Sequence, residues 1–512
     1  MGEQAEVKRG FASRWGLIAT LIGLAVGTGN IWRFPREAAK NGGGAFIVAW
    51  TVMLIIAAIP LAIAEMGIGR SARRACPGAF KDILGKKYTW MGVFMTITVV
   101  CIAAYYTVTM SWVLRYLWMS ITGAFIGVED KMALFDSVSN GDPVQLVFFV
   151  ISLLITWFIT SGGIQNSIEK FMKVCIPFLF VLLVGVVIRA LTLGDTGIEG
   201  AAGSAAGMEF LYHIDPEYLL NGKTWISALI QILWSVGVGW GLVICYGAFT
   251  QAKSDVALNG FIQGFGNNLA SLLAGTAVIP TLFAFNSQEM SLAICQSGAN
   301  GLTFGAMCQI FESMTGGRIV AVLFFLALVL AALSSNLGHF LVGSLPLQDM
   351  GWSKKKANLA MMVVCFIWGL PSAWNIKFHG NQDFVSGFAL VIGILFTCFL
   401  IRKVGADRFR KNFINIPEND LHAGKWWNVA VKYLAPGVSI ILIVWCLAPF
   451  GWGYIGAADM WDFFAQETFA TLAGQLLIYL TVAIILAGVV NRSNQKVYYN
   501  GSTFPEIPEE YE

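Results

Sequence analysis

Apolar residues in this chain run in blocks of about twenty rather than alternating with polar ones. That is enough to carry a helix across a hydrocarbon layer of about 30 Å. The blocks lie near 15–36, 44–69, 89–123, 144–161, 170–193 and 224–249, then near 257–285, 318–348, 357–374, 383–402, 427–450 and 467–490. An all-α polytopic membrane protein of about 12 transmembrane helices is predicted, and an even number puts both termini on one face. Two connections exceed a simple turn: 194–223, rich in Gly, Ala and acidic residues, and 286–317, with short amphipathic pieces. Long loops of this kind serve as lids or vestibule walls. The tail 491–512 is polar and reads as flexible.

Two blocks are interrupted. Gly23, Gly27 and Gly29 fall in the first, just before Asn30; Gly237, Gly239 and Gly241 fall in the sixth, just after Trp234 and Ser235. Each glycine lowers helix propensity by about 1 kcal/mol. Unwinding frees backbone N–H and C=O groups in a dry layer, where they persist only beside a cavity or ligand. Half-helix N-termini then attract an anionic group, and freed carbonyls a cation. Small residues four apart also serve close helix packing, and Gly23 and Gly27 fit that spacing. Recurrence in two blocks favours a binding site. The breaks stand five spans apart, so the core divides into two halves of five, and an odd-numbered repeat inserts its second copy upside down.

Composition narrows the classes. Of 512 residues, 57% are hydrophobic and 12% charged, about half the charge that a soluble chain of this length carries. An ordinary cytosolic enzyme, a disordered chain and a nucleic-acid binder are excluded. No cleavable signal peptide is read at the start. Nine cysteines, spread mostly through apolar runs, argue against a disulfide framework. Cys295 and Cys308 share one connection and read as two reduced thiols in preference to a pair. Lys8, Arg9, Arg14, Arg70, Arg73, Arg74, Lys81, Lys86, Lys87, Lys170, Lys173, Lys253, Lys354, Lys355, Lys356 and the cluster from Arg402 to Lys432 fall on the side of the termini. Only Lys40, Lys131, Lys223 and Lys377 fall clearly on the other. By the positive-inside bias both ends are cytoplasmic, in a multi-pass cell (inner) membrane protein.

The run from Gly27 to Pro35, Asn41 to Phe46, the Tyr105-Tyr106 pair, Asn267, Ser334-Ser335 and Asp383 together resemble the signature of the neurotransmitter:sodium symporter family. Within it they resemble the bacterial amino-acid transporters of the LeuT type. The resemblance spans nearly the whole chain. It implies a 5+5 inverted repeat with broken helices 1 and 6, and two appended helices. The organisation becomes a cytoplasmic segment 1–13, repeat one at 14–193, an extracellular loop 194–223, repeat two at 224–402 with the loop 286–317, helices 11 and 12 at 403–490, and a cytoplasmic tail 491–512.

The resemblance also implies sodium-coupled import of an amino acid with two sodium ions. One sodium would be held by the Ala25 carbonyl, the amide oxygens of Asn30 and Asn267, and Ser235; the other by carbonyls of Gly23, Val26 and Ala331 and hydroxyls of Ser334 and Ser335. The substrate carboxylate would rest on the N–H groups near Thr28 and Gly29 and on Tyr106, its amine near Ala25, Trp234 and Ser235. The side-chain pocket would be lined by Ile102, Trp234, Gly237, Trp240, Ser335 and His339. Monoamine carriers of the family have Asp where Gly27 stands, so a carboxylate-bearing substrate is expected. The bulk of Trp240 and His339 suggests a small or polar neutral amino acid. Arg33 and Asp383 resemble an outer gate with Trp234 as the lid beneath, and Glu65 a buried structural acid receiving freed N–H groups of the sixth span. Chloride is expected at Trp50, Gln231, Ser235, Asn267 and Ser271, with Trp50 departing from the usual tyrosine.

Individually, the asparagines and serines read more readily as interhelical glue and only together as ligands, and His339 reads equally as a core histidine. A carrier of betaine or another amino-acid-like solute is the alternative, and a channel a weaker one. Enzyme chemistry is not expected, because no His-Glu-x-x-His pair, phosphate loop or Ser–His–Asp arrangement is present. The expected partners are the substrate and the lipid bilayer, without nucleic acid, in a monomer or weak dimer.

Overall fold

The computed structural model describes residues 10–492 except 195, 252, 449–452 and 464. Lys8, Arg9 and most of the expected tail therefore lie outside the described residues. Among the described residues, ten helices are long and apolar enough to cross a membrane, and a bent pair makes eleven. In chain order, α1 is that pair, Arg14–Ala25 and Gly29–Lys40; α2 is Gly44–Ala72, α3 Lys86–Thr122, α4 Pro143–Ser161 and α5 Ile164–Leu191. The sixth span, α6, is split into Gly222–Val236 and Leu242–Gly247 by a five-residue gap that leaves neither piece long enough to cross alone. Then follow α7 Val256–Phe285, α8 Gly317–Asp349, α9 Lys354–Trp374, α10 Ile376–Val404, α11 Lys425–Leu447 and α12 Phe469–Arg492. With α6 counted, the number is twelve. Among the described residues there is no strand beyond one isolated bridge, Gly43 with Ile214.

Helix starts follow from short polar side chains. Asp142 accepts from the Val144 N–H at the head of α4, Asp255 from Leu258 at α7, Ser353 from Lys356 at α9, and Asn375 from Lys377 and Phe378 at α10. Each satisfies an orphan donor of a first turn. The long connections hold the short helices Ser204–Tyr212, Pro216–Leu220, Gln288–Gln296 and Met307–Ser313. None of the nine cysteines forms a disulfide and all are buried, Cys295 and Cys308 included.

Burial is graded. The apolar window of α3 is 83% buried and that of α12 only 17%, which makes α3 the central post and α12 a lipid-facing outer helix. α3 packs against α4, α8, α9, α10 and α12. Each broken span lies against the second span of the other half, α1 on α7 and α6 on α2. Contact of α6 with α2 is backbone to backbone: a Cβ on Gly69 would stand 2.0 Å from the Ile244 oxygen, and one on Gly247 2.7 Å from the Met66 oxygen. Small residues permit that approach where lipid gives helices no hydrophobic reason to associate.

Candidate functional site

The first break is narrower than the glycine pattern suggests. Helical bonding stops at Ala25, Val26 is extended (φ −85°, ψ 96°), and a π-helical turn resumes at Gly29, with a bend of 52° between the halves. The Gly27 N–H donates to Asn30 Oδ1 at 2.9 Å, so Asn30 caps its own half-helix. In the sixth span Ser235 remains helical, and the break runs over 237–241. Gly237, Gly239 and Gly241 all take positive φ (76°, 83° and 70°), a region costly to residues with a Cβ. The Gly239 N–H donates to Glu65 Oε1 at 2.6 Å, and Gln263 Nε2 of α7 donates to the Val236 carbonyl at 2.8 Å.

Between the breaks, oxygens gather. Asn267 Oδ1 of α7 stands 3.1 Å from the Ala25 carbonyl oxygen and 3.2 Å from that of Ser235. It accepts from Asn30 Nδ2 at 2.7 Å, and the same nitrogen donates to Ser271 Oγ at 2.8 Å. Turning the Asn267 amide would satisfy both carbonyls but set its NH₂ against that of Asn30; turning Asn30 as well would set an NH₂ against the Gly27 N–H. Each orientation leaves a conflict: two contacts between oxygens when Asn267 accepts from Asn30, and one contact between NH₂ groups when the Asn267 amide is turned toward the carbonyls. Asn30 here presents its nitrogen to the cluster, since its oxygen is committed to Gly27; this departs from the expected oxygen ligand.

A second gathering lies on the other side of α1. Ser334 Oγ donates to the carbonyls of Val26 (3.3 Å) and Ala331 (3.0 Å), and Ser335 Oγ stands 3.4 Å and 3.5 Å from those of Leu24 and Val26. Gly23 lies buried on the same half-helix, three residues before Val26.

A cavity of about 530 Å³ extends from the first break to Ala299 and Asn300 in one connection and Tyr454 and Glu467 in another. Ala25, Thr28, Gly29, Tyr106, Trp234, Ser235, Gly237, Trp240, Ser335 and His339 line it, whereas Ile102 is sealed in the core away from it. The Thr28 N–H and hydroxyl both donate to the Tyr106 oxygen at 3.2 Å. A Cβ on Gly27 would stand 2.9 Å from Ser335 Oγ and 3.0 Å from the Tyr106 oxygen. The opposite end is closed by the segment before α1. Phe11 N–H donates to the Phe249 carbonyl, Ala12 N–H and the Ser13 hydroxyl donate to Glu169 of α5, and Arg14 pairs with Asp420 at 3.2 Å.

Arg33 and Asp383 face this cavity but form no ion pair among the described residues. Asp383 Oδ1 accepts from the Tyr105 hydroxyl at 2.9 Å, and the Arg33 guanidinium sits over the Trp234 ring at 5.8 Å. Among the described residues, the buried indole N–H of Trp50 and the amide oxygen of Gln231 have no hydrogen-bond partner. The Trp50 ring packs 4.6 Å from Phe34, which in turn touches Gly275 one turn beyond Ser271.

His379, Thr109 and Trp112 also line the cavity and were not singled out from the sequence. His379 Nε2 bonds Thr109 Oγ1 at 2.8 Å, and its ring lies 4.5 Å from Trp112. A signal existed: His379 precedes Asp383 by four residues, and Thr109 follows Tyr105 by four, so each shares a helix face with a residue already chosen.

Two discontinuous spans facing each other across a cavity that reaches the connections at one end and is closed by the segment before α1 at the other fit a secondary transporter rather than a pore. The chain belongs to the sodium:neurotransmitter symporter family, whose sequence model matches residues 8–128 and 130–495. It is 32% identical over 454 residues to an uncharacterised sodium-dependent transporter of Methanocaldococcus jannaschii, covering 85% of this chain and 89% of the relative. It is 25% identical over 495 residues to a sodium- and chloride-dependent betaine transporter of Caenorhabditis elegans, covering 85% and 80%. The crystal structure of MhsT in complex with L-phenylalanine is similar with a TM-score of 0.74 at 26% identity, covering 85% of this chain and 99% of that one. The fold is therefore the LeuT type, in a multi-pass, sodium-dependent transporter and not an enzyme.

Proposed function

We propose that this protein imports a neutral amino acid, small or polar, together with two sodium ions by alternating access. The observation that carries the reading is the convergence of Asn267 Oδ1 with the Ala25 and Ser235 carbonyls. With Asn267 Oδ1 turned to accept from Asn30, a small hard cation among the three oxygens relieves the contacts between them. Val26, Ala331, Ser334 and Ser335, with Gly23 nearby, make a second neutral oxygen set. The carboxylate of a zwitterion completes the charge balance from the side of Thr28, Gly29 and Tyr106. Asn30 acts by holding Asn267 and capping the half-helix.

Chloride is assigned to the neighbourhood of Ser271, Asn267, Ser235, Gln231 and Trp50, where an unpartnered indole N–H is available as an anion donor; a chloride-dependent relative supports this. Arg33 and Asp383 close over the substrate when Asp383 leaves Tyr105. The core is a repeat of 14–193 and 224–402, set in the cell (inner) membrane with both termini cytoplasmic, and the protein works as a monomer or weak dimer. A methylated amine such as betaine is disfavoured at the Trp234 and Trp240 rings, because one carries Arg33 and one face of the other carries His339.

Moving one positive charge across 100 mV yields about 2.3 kcal/mol, so two sodium ions with a zwitterion supply about 4.6 kcal/mol, roughly three decades of accumulation. Co-transported chloride halves that electrical part. Charge moved per substrate in proteoliposomes tests the stoichiometry: two charges indicate sodium alone, one indicates chloride as well, and none contradicts the coupling.

A further inference from the structure

His379 and Asp383 stand four residues apart near the start of α10, and Tyr105 and Thr109 four apart on α3, so each pair shares a helix face. The pairs meet in reverse order. Tyr105 donates to Asp383 Oδ1 at 2.9 Å, and Thr109 Oγ1 bonds His379 Nε2 at 2.8 Å. Two rungs, one helical turn apart, therefore tie the start of α10 to α3. The imidazole is fixed by two further rings of α3, Tyr105 edge-on at 5.3 Å and Trp112 at 4.5 Å. Trp112 is itself buried and packs edge-on against Phe135 at 5.4 Å.

Asp383 has a rival partner. Arg33 lines the same cavity, and its Nε is buried with no hydrogen-bond partner among the described residues. Opposite charges in a cavity walled by protein attract more strongly than in water, so their separation needs a restraint. To reach Arg33, Asp383 must leave Tyr105. α10 is one continuous helix through both His379 and Asp383, so the His379 rung limits how far its start can follow.

We propose that His379, through its bond to Thr109, holds Asp383 on the α3 side and away from Arg33, and is thereby a positioning residue that keeps the gate open. This rests on the closure of Arg33 and Asp383 described above and adds the residue that sets its balance. One hydrogen bond of ordinary strength shifts a two-state equilibrium by about threefold to tenfold, which tunes closure without preventing it.

Closure is read from the rate at which a maleimide labels the Asn300→Cys protein, purified at full length. Asn300 lines the cavity, and all nine native cysteines are buried. In sodium without amino acid, adding His379→Phe, which keeps a ring but no nitrogen, should slow labelling about threefold or more. Thr109→Val, which removes the same bond from the other side, should do likewise. Neither should slow it once Asp383→Asn has removed the charge that Arg33 attracts; a merely structural loss would be indifferent to that background. Unchanged or faster labelling in either folded variant overturns the proposal, and so does slowing that persists in Asp383→Asn. A mixture of neutral amino acids should slow labelling when position 300 alone is changed. If it does and the variants change nothing, this inference falls alone, whereas no response to amino acids in sodium contradicts the closure itself.

Discussion

The break in α1 spans Val26 and Gly27 and is closed by a side chain of its own helix, Asn30, whereas the break in α6 spans 237–241 and is held from outside. Glu65 of α2 takes the Gly239 N–H, Gln263 of α7 takes the Val236 carbonyl, and α10 runs so close that a Cβ on Gly393 would stand 2.1 Å from the Gly239 oxygen. Tyr106 of α3 and Ser334 and Ser335 of α8 also reach the α1 break, but only through side-chain hydroxyls at 3.2–3.5 Å. Closure from three other helices makes the α6 break a fixed wall. On this comparison, perturbing the α6 break costs fold stability and perturbing the α1 break costs ion and substrate affinity.

The largest effect is expected at Gly239. Alanine there must hold a positive φ with its Cβ 2.5 Å from Ile394 and 2.7 Å from the Leu390 carbonyl oxygen. A loss of about 3 kcal/mol or more follows, read as a large drop in the thermal midpoint in detergent. Glu65→Ala comes next, leaving the Gly239 N–H buried and unpaired at a cost of about 1–3 kcal/mol, while Glu65→Gln keeps an acceptor and should recover most of it. Equal loss in both Glu65 variants would show that charge rather than the acceptor matters. Asn30→Ala should raise the sodium concentration for half-saturation by about tenfold or more, as losing about 1.4 kcal/mol of organisation implies, with a smaller change in melting. The mildest is Gly27→Ala, whose new Cβ crowds only the tips of Ser335 and Tyr106. Stability should change by less than about 1 kcal/mol, and substrate affinity should fall. Should Gly27→Ala destabilise the protein more than Gly239→Ala, the contrast between the two breaks is wrong.

The spans were legible because a bilayer imposes length and apolarity on every crossing segment, and α6 could be counted from sequence although its pieces are too short to stand as spans. Glycine spacing marked both breaks but misjudged their extent. It included Gly23, which is still helical, and Gly29, where a π-helical turn already resumes. Spacing says where a helix is weak; which residue leaves it depends on partners such as Asn30 and Glu65 that lie elsewhere in the chain. The partner of Asp383 was illegible for a related reason. Tyr105 and Arg33 are both within its reach in the fold, and only the three-dimensional arrangement decides between them. His379 and Thr109 were missed because a single polar residue in an apolar run carries no signal until its helix face is compared with that of a chosen neighbour.

The claim on which everything turns is that Asn267, Ala25 and Ser235 hold sodium beside a bound amino acid. Equilibrium binding of a labelled amino acid to the purified protein, with sodium exchanged for potassium at constant ionic strength, addresses it directly. Saturable binding in sodium that disappears in potassium, and that needs markedly more sodium in Asn30→Ala, is the predicted result. Binding of equal strength in both salts, or a sodium requirement untouched by Asn30→Ala, would contradict it.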